Sequence, residues 1–405
     1  MKNILVLTYW SYKDALIQTY TLPYVRIIRK YLPEKSRIYL FTIEQDFFKI
    51  SDEEWFREKE KLKKENIYLL RTKYSEFGVR MALRFISIFF HLIWLVFTKQ
   101  ISVIHSWCTP AGAIGYILSV ITFKPLIIDS YEPHAEAMVE NGEWSENKFA
   151  FKILFWLEKR MSKRAKSVIA LSYGMKDYAK RKYNVEIKNM YVKPSLVNLE
   201  KFSFEKIGTK DLKKKLGMED KIVGLYVGKF GGIYLDMEIF FLLKAGYEYW
   251  DDKFKILIIT NLEKEKVLEK SRYVGLPDYI IKVLFVDYSK IELYFGLAHF
   301  GINPVKPVPT KRHCTSIKDG EYWAMGLPVI ITKNISDDSD IIERENIGYV
   351  LKELNTNEYK KAIQKIDFLL KQDRNELRKK IRSIAKKYRN FKIAEKIYED
   401  IYARK

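Results

Sequence analysis

Short apolar runs alternate with longer stretches of helical length along both halves of the chain. In the first half, the runs with strand character are Asn3–Thr8, Arg37–Phe41, Ile67–Leu70, Val103–Ser106, Leu126–Asp129, Ser167–Leu171 and Met190–Val192. The second half repeats the pattern at Ile222–Val227, Lys255–Ile259, Lys282–Phe285, Phe300–Ile302, Val329–Thr332 and Gly348–Leu351. Apolar strands separated by helices are typical of parallel sheets covered on both faces. The pattern therefore predicts an α/β fold with two Rossmann-like, doubly wound domains.

The boundary between these domains is expected in the segment Asn198–Asp220, which is polar, rich in lysine and without a strand pattern. We predict an N-terminal domain over residues 1–198 and a C-terminal domain over residues 199–385. Residues 386–405 are expected to form a helix that packs back toward the first domain. Doubly wound domains bind ligands at the carboxyl ends of their strands, so the ligand site is predicted in a cleft between the two domains.

The chain is strongly basic: 72 Lys and Arg residues outweigh 51 Asp and Glu residues, for a formal net charge of +21 over 405 residues. Such a charge favours anionic partners, namely nucleotide phosphates, lipid head groups or nucleic acid, although a solvated lysine-rich surface is the alternative. The basic residues are dispersed and no nucleic-acid-binding motif is visible, so nucleic acid is not an expected partner. Two distant cysteines and five scattered histidines give no pattern for a disulfide framework or a metal site.

Two segments leave open whether part of the chain contacts a membrane. Val79–Thr98 is almost wholly apolar, but its uninterrupted part, Ile86–Phe97, is shorter than the ~20 residues of a spanning helix. It is either a buried crossover helix or a helix seated in a lipid interface. Phe151–Lys166 mixes aromatic and basic residues, as either a core helix with a basic outer face or a helix lying on anionic lipid. The N-terminus has a strand pattern and no signal-peptide pattern, so a cytoplasmic location is expected, with peripheral contact at the inner face of the membrane as an option.

The segment Thr315–Ile330 has the most chemical content. Ser316 is placed to cap a short helix, and Gly326 followed by Pro328 is placed to end it. The free N–H groups and positive dipole end of such a helix form a seat for a diphosphate, to which Lys318 adds a full charge. Glu321, one turn further, is placed to accept hydrogen bonds from a ribose. The alternative is an ordinary capped helix with a surface lysine and glutamate.

This segment, SIKDGEYWAMGLPVI, resembles the donor-binding segment of glycosyltransferase family 4 and its GT-B relatives. Three further stretches resemble parts of that family in the expected order: Ser167–Ser172, Val192–Asn198 followed by Phe202, and Leu225–Lys229. The resemblance covers most of the chain. It implies the GT-B fold and transfer of a sugar from a nucleoside-diphosphate donor.

The resemblance also implies roles for residues of the second domain. Lys229, which follows Gly228, matches the basic residue that meets the donor diphosphate, and Gly231 lies in the loop that follows. Lys318 is the other implied phosphate contact, next to the helix end at Ser316, and Glu321 is the implied ribose contact. In many relatives a further glutamate, eight positions before this one, touches the donor sugar; here that position is His313. His313 or the neighbouring Thr315 is expected to take this catalytic position, unless the sugar contacts come from elsewhere and His313 is an exposed loop residue.

Acceptor chemistry is expected at the end of the strand Leu126–Asp129. Asp129 is placed to orient or deprotonate an acceptor hydroxyl, and His134 or Glu136 is placed to do so instead. A helix-capping role for Asp129 and Glu136 is the alternative.

We therefore expect a metal-independent, retaining glycosyltransferase without a bound cofactor. Its donor is expected to be a UDP- or GDP-sugar, and its acceptor a glycan or a lipid-linked molecule in bacterial surface polysaccharide synthesis. The alternatives are a nucleotide-sugar epimerase on the same fold and a basic nucleic-acid-binding protein.

Overall fold

The structure is a computed structural model that describes residues 2–14, 16–48, 50–74 and 79–403, without the side chains of residues 47 and 79–85. Its contacts divide the chain into two compact units. Unit 1 comprises Met1–Lys193 and Lys392–Lys405, and unit 2 comprises Pro194–Phe391. The domain boundaries after residues 198 and 385 stay predictions beside this division.

Unit 1 is built on a parallel sheet of seven strands in the order β3-β2-β1-β4-β5-β6-β7. These strands are β1 Asn3–Leu7, β2 Ile38–Glu44, β3 Ile67–Lys73, β4 Ile101–Trp107, β5 Leu126–Tyr131, β6 Ser167–Ala170 and β7 Met190–Val192. The order reverses between β1 and β4, as in a doubly wound domain.

Unit 2 is built on a parallel sheet of six strands in the order β10-β9-β8-β11-β12-β13. These strands are β8 Ile222–Val227, β9 Phe254–Ile259, β10 Ile281–Leu284, β11 Phe300–Asn303, β12 Val329–Thr332 and β13 Gly348–Leu351. Every strand predicted from the apolar runs is confirmed, with shifts of a few residues at the ends. The predicted α/β class with two parallel-sheet domains is therefore confirmed.

Sixteen α-helices lie in the described part of the chain. In unit 1 they are α1 Leu22–Lys30, α2 Asp52–Lys63, α3 Val79–Thr98, α4 Thr109–Thr122, α5 His134–Glu140, α6 Phe149–Arg164, α7 Gly174–Tyr178 and, at the end of the chain, α16 Lys392–Tyr402. In unit 2 they are α8 Lys210–Lys215, α9 Met237–Trp250, α10 Lys264–Tyr273, α11 Ile291–Phe295, α12 Ile317–Ala324, α13 Asp338–Glu345, α14 Thr356–Leu370 and α15 Arg374–Tyr388. Within residues 386–405, where one helix was expected, α15 ends at Tyr388 and α16 begins at Lys392.

Each sheet lies inside its own hydrophobic core because its central strands are apolar on both faces. All five residues of β1 are buried, and so are all six of β5. The helices cover these faces with one side each. In α3, Leu92, Leu95 and Val96 are buried in the core of unit 1.

The last helix, α16, completes unit 1 rather than unit 2. It packs on α1, and Ala394 and Tyr398 are fully buried there. Its final residues also reach the central strands, because the Tyr402 hydroxyl lies 2.6 Å from Nδ1 of His105 on β4.

Gly348, the first residue of β13, provides a test of the sheet register in unit 2. A Cβ at this position would lie 2.0 Å from the carbonyl oxygen of Val329 on β12. We expect Gly348→Ala to lower the free energy of unfolding by about 2 kcal/mol or more, since the clash is with backbone and cannot be relieved by a side-chain rotation. Gly208→Ala is the matched control, because a Cβ there meets no atom within 4 Å. Chemical denaturation measures both, and equal stability of the two variants would contradict the register.

Candidate functional site

The candidate site lies in unit 2, where the end of β8 meets the beginning of α12. β11 is the parallel neighbour of β8, so the two strands end at the same edge of the sheet. α12 follows β11 in the chain and begins at that edge. This edge is the usual ligand edge of doubly wound sheets.

The first turn of α12 has no side-chain cap. Ser316 occupies the N-cap position with extended backbone, but its side chain makes no capping hydrogen bond, contrary to the predicted cap. The N–H groups of the first turn thus keep their capacity to bind an anion. At the other end, Gly326 has a φ of 68° and ends the helix as predicted. Its N–H donates to the carbonyl oxygen of Trp323, and the N–H of Leu327 donates to the carbonyl oxygen of Tyr322.

Lys318 lies directly against Gly228. The Nζ atom of Lys318 is buried and has no hydrogen-bond partner among the described residues. It sits 3.8 Å from the centroid of the Tyr234 ring, and a Cβ on Gly228 would lie 2.7 Å from it. An ammonium group buried without a polar partner is energetically costly unless an anion joins it. Two residues that the sequence placed in one phosphate site are therefore neighbours.

Lys229 and Gly231 lie in the loop that leaves β8. The Lys229 side chain is exposed, and its backbone carbonyl accepts a hydrogen bond from the Tyr226 hydroxyl. Gly231 and Gly232 have φ values of 73° and 61°, a conformation that favours glycine. The loop then returns to the sheet, where the Leu235 N–H bonds the carbonyl of Pro304.

Glu321 lies one turn after Lys318 on the same face of α12. Its side chain is buried, and one carboxylate oxygen accepts a 2.9 Å hydrogen bond from the Tyr288 hydroxyl. Burial raises the pKa of Glu321 to about 7, against the lowering effects of that hydrogen bond and of Lys201 and Lys318. Lys201 adds positive charge nearby, with its Nζ 3.9 Å from the centroid of the Tyr288 ring and 3.6 Å from Glu292.

Below this face, a buried acid pair anchors α12. Asp319 accepts a 2.8 Å hydrogen bond from the Asn303 amide on β11 and lies close to Asp338. Burial and the Asp338 charge raise the pKa of Asp319 well above its ordinary value, which favours the protonated form of Asp319.

Arg389 completes this anchor. Its guanidinium is buried, forms an ion pair with Asp338 and donates to the Thr315 hydroxyl at 2.7 Å, just before α12 begins. A further hydrogen bond of 3.2 Å goes to the carbonyl of Ser195. Arg389 therefore ties Thr315, just before α12, to Asp338 and Ser195, and these contacts keep Lys318 and Glu321 in place.

A family comparison covers this same region. Residues 288–401 match the model described as "Glucosyltransferase 3-like, C-terminal domain". The matched region contains Tyr288, Lys318 and Glu321 together with the anchor formed by Asp319 and Arg389. A sequence comparison with curated proteins gives no match.

Solved structures match the whole chain. HepE (Alr3699) from Anabaena, solved with UDP, aligns over 100% of both chains with a TM-score of 0.73 and 14% identity. Sucrose-phosphate synthase from Thermosynechococcus elongatus aligns over 99% of this chain and 98% of its own, with a TM-score of 0.71 and 14% identity. WaaG, a glycosyltransferase involved in lipopolysaccharide biosynthesis, aligns over 100% of both chains with a TM-score of 0.70 and 13% identity. The predicted GT-B fold is thus confirmed.

In unit 1, Asp129 is fully buried and its carboxylate is engaged. It lies 3.0 Å from Lys193 Nζ, accepts a 2.6 Å hydrogen bond from the Tyr398 hydroxyl and approaches Nε2 of His105 at 3.4 Å. Burial alone would raise the pKa of Asp129, but these partners hold it at about 2. Lys193 is also buried, with Nζ 3.6 Å from the centroid of the Tyr24 ring. Asp129 and Lys193 therefore form a buried ion pair.

The other predicted acceptor-side residues lie at the surface beyond β5. Glu136 accepts hydrogen bonds from the Tyr178 hydroxyl at 2.6 Å and from Lys182 at 2.7 Å. His134 is more exposed, at 29% of its side chain, and its Nδ1 lies 3.4 Å from the Glu132 carboxylate. His313, in unit 2, is buried in a short 3₁₀ turn rather than exposed in a loop. The catalytic roles of these residues stay predictions.

Three residues of the site were missed in the sequence: Tyr288, Lys201 and Arg389. Tyr288 follows β10 closely, so its position after a strand was the available signal. Lys201 precedes Phe202 within the stretch already matched to the family, while Arg389 gave no local signal. Among the described residues, no group of three or more His, Cys, Asp or Glu side chains is placed to hold a metal ion.

Glu321→Gln tests the buried carboxyl group through the pH dependence of stability. The folded pKa of about 7 exceeds the ordinary value of 4.5, so the folded protein retains a proton that the unfolded chain releases. Wild-type stability therefore falls as the pH rises between these two values and stays at the lower level above them. Glutamine does not titrate. We therefore expect the free energy of unfolding of the variant, relative to that of wild type, to rise by up to about 3 kcal/mol across this range.

Urea denaturation at a series of pH values measures this difference. The exposed Glu376→Gln on α15 is the control and should show no comparable trend. A parallel pH dependence of Glu321→Gln and wild type would show that Glu321 titrates normally.

Proposed function

We propose that the protein is a glycosyltransferase that binds a UDP-sugar in unit 2 and transfers the sugar to a glycan or lipid-linked acceptor. The observation that carries the proposal is the buried, unpartnered Lys318 ammonium against Gly228 at the uncapped start of α12. A diphosphate matches both features, because it brings negative charge to the lysine and acceptor oxygens to the free N–H groups.

In the transfer step, the bond between the sugar anomeric carbon and the diphosphate oxygen breaks, and a bond to the acceptor oxygen forms. Negative charge develops on the leaving diphosphate while the acceptor hydroxyl loses its proton. Lys318, the first turn of α12 and the exposed Lys229 stabilise that charge, which is the role a metal ion plays in other transferases. We accordingly propose transfer without a bound metal and with retention of anomeric configuration, the outcome implied by the family resemblance.

Glu321 is the proposed ribose contact. It lies one turn beyond Lys318, and an ionised carboxylate accepts hydrogen bonds from a diol. The Tyr288 hydroxyl now occupies one of its oxygens at 2.9 Å, in the manner of a single ribose hydroxyl. We propose UDP rather than GDP as the donor nucleotide because HepE, which has the same fold, was solved with UDP. A role in bacterial surface polysaccharide synthesis is supported by the fold of WaaG, which acts in lipopolysaccharide biosynthesis.

Lys318→Ala tests the phosphate site. We expect this variant to bind UDP at least tenfold more weakly than wild type, while its affinity for uridine is unchanged, because the lost charge faces only the phosphates. Isothermal titration calorimetry with UDP and uridine measures both affinities. Lys361→Ala, which removes an exposed lysine of α14, is the control and should bind both ligands as wild type does.

Equal losses for UDP and uridine would refute a phosphate role for Lys318. Incubation with UDP-sugars gives a second readout, since a transferase releases UDP. Interconversion of the sugar without UDP release would instead support the epimerase alternative.

For the acceptor side, we assign the proton-accepting role to His134, whose ring is more exposed than Asp129 or Glu136 and is oriented by Glu132. His134→Asn should release UDP from a UDP-sugar at least tenfold more slowly than wild type. Its affinity for UDP should be unchanged. Glu143→Gln, in the loop after α5, is the control. An unchanged release rate in His134→Asn would remove this residue from the mechanism.

A further inference from the structure

Three neighbouring helices of unit 1 share an unusual outer face. α4 packs against α3 on one side and against α6 on the other, and all three bury their inner sides in the core of unit 1. Their outer sides carry large apolar residues that no part of the described chain covers: Ile86, Phe90, Trp94 and Phe97 on α3, Ile117, Val120, Ile121 and Phe123 on and after α4, and Phe149, Ile153 and Trp156 on α6. These eleven residues are called the three-helix face.

The exposure of these side chains is large and regular. Phe90 is 70% exposed, Phe97 61% and Phe149 77%. Ile86, Phe90, Trp94 and Phe97 follow the three- and four-residue spacing of one helix face, so they form a continuous stripe. Single exposed apolar residues are normal in proteins, but stripes on adjacent helices mark an interaction surface.

Phe123 adds a second irregularity to this face. It follows α4 with a φ of 57°, the left-handed conformation that bulky residues rarely adopt, and its side chain is 85% exposed. Glycine or asparagine is usual at such a helix end. Here a strained position carries a phenylalanine directed into solvent, which would be unfavourable without a partner.

The charges around the three-helix face are positive. On α6, Lys152, Lys159, Arg160 and Lys163 are exposed, and no ion pair is formed by any of them within the described part of the chain. The Arg160 guanidinium lies 5.3 Å from the centroid of the Trp156 ring. The sequences of α3, α4 and α6 contain a single acidic residue, Glu158, and it is buried. Glu143 and Glu146 lie in the segment before Phe149, outside these helices.

This combination distinguishes between two occupants. A second copy of the chain would bring the same unpaired cations of α6 face to face, which is unfavourable in an isologous interface. An anionic bilayer instead neutralises them, while tryptophan and phenylalanine are suited to the boundary between head groups and acyl chains. Among the described residues no helix is long and apolar enough to cross a membrane, so the contact would be peripheral.

We propose that the three-helix face seats unit 1 on the surface of an anionic lipid bilayer. The apolar side chains enter the interfacial region, and the basic residues of α6 meet the lipid phosphates. This inference goes beyond the proposed transfer reaction, since membrane binding requires neither a donor nor an acceptor.

Vesicle co-sedimentation tests the proposal. Full-length protein should bind vesicles of equimolar phosphatidylcholine and phosphatidylglycerol, bind phosphatidylcholine vesicles at least tenfold more weakly, and dissociate as salt is raised. Phe90→Ser/Phe97→Ser/Phe149→Ser should lose vesicle binding at least tenfold, and so should Lys152→Glu/Lys159→Glu/Lys163→Glu. The matched control is Phe56→Ser/Phe368→Ser, which removes phenylalanines that are 61% and 56% exposed on α2 and α14.

Thermal unfolding and UDP titration of each variant separate membrane binding from folding and from the donor site. Both readouts should match wild type, because the substituted residues are exposed and none of them belongs to the donor site. The proposal would be overturned if wild-type protein did not bind anionic vesicles, or if the triple phenylalanine variant bound them as wild type does. A dimer in light scattering that the phenylalanine variant converts to a monomer would assign the face to a second copy instead.

Discussion

The position of α12 depends on the buried ion pair between Arg389 and Asp338. Asp319 of α12 is buried close to Asp338, and burial together with the Asp338 charge raises the pKa of Asp319 well above its ordinary value, which favours its protonated form. The Arg389 guanidinium neutralises the charge of Asp338 beside it. Because Arg389 also holds Thr315, the start of α12 cannot shift without breaking the network. The two groups that define the site, the Lys318 ammonium and the Glu321 carboxyl, are directed by this arrangement.

The same helix combines strict burial with chemical incompleteness. Asp319 and Trp323 lie fully inside the core, whereas the Lys318 ammonium lies beside Gly228 and has no hydrogen-bond partner among the described residues. A firmly held helix that carries such an ammonium group is suited to binding an anion, because little conformational entropy is lost when the ligand arrives.

Much of this architecture could be predicted from the sequence because it follows from local pattern. Thirteen strands were visible as apolar runs. That the loop at Gly228 and Lys318 belong to one phosphate site was implied by the family resemblance, and the structure places the two residues side by side. The rest depended on contacts between distant positions. Asp129 stands at a strand end as expected, but its partner Tyr398 is 269 residues further along the chain. Arg389 likewise bonds Ser195 across 194 residues, and no spacing rule reveals such a pair.

The placement of α16 has a consequence for how the protein forms in the cell. The residues of unit 1 up to Lys193 precede unit 2 in the chain, but Tyr398 and Tyr402, which cover Asp129 and His105, follow it. Until these two tyrosines are synthesised, the Asp129–Lys193 ion pair lacks part of its cover, while unit 2 already has all of its strands. The second half of the polypeptide is therefore able to complete its core before the first half does, in reverse of the usual vectorial order.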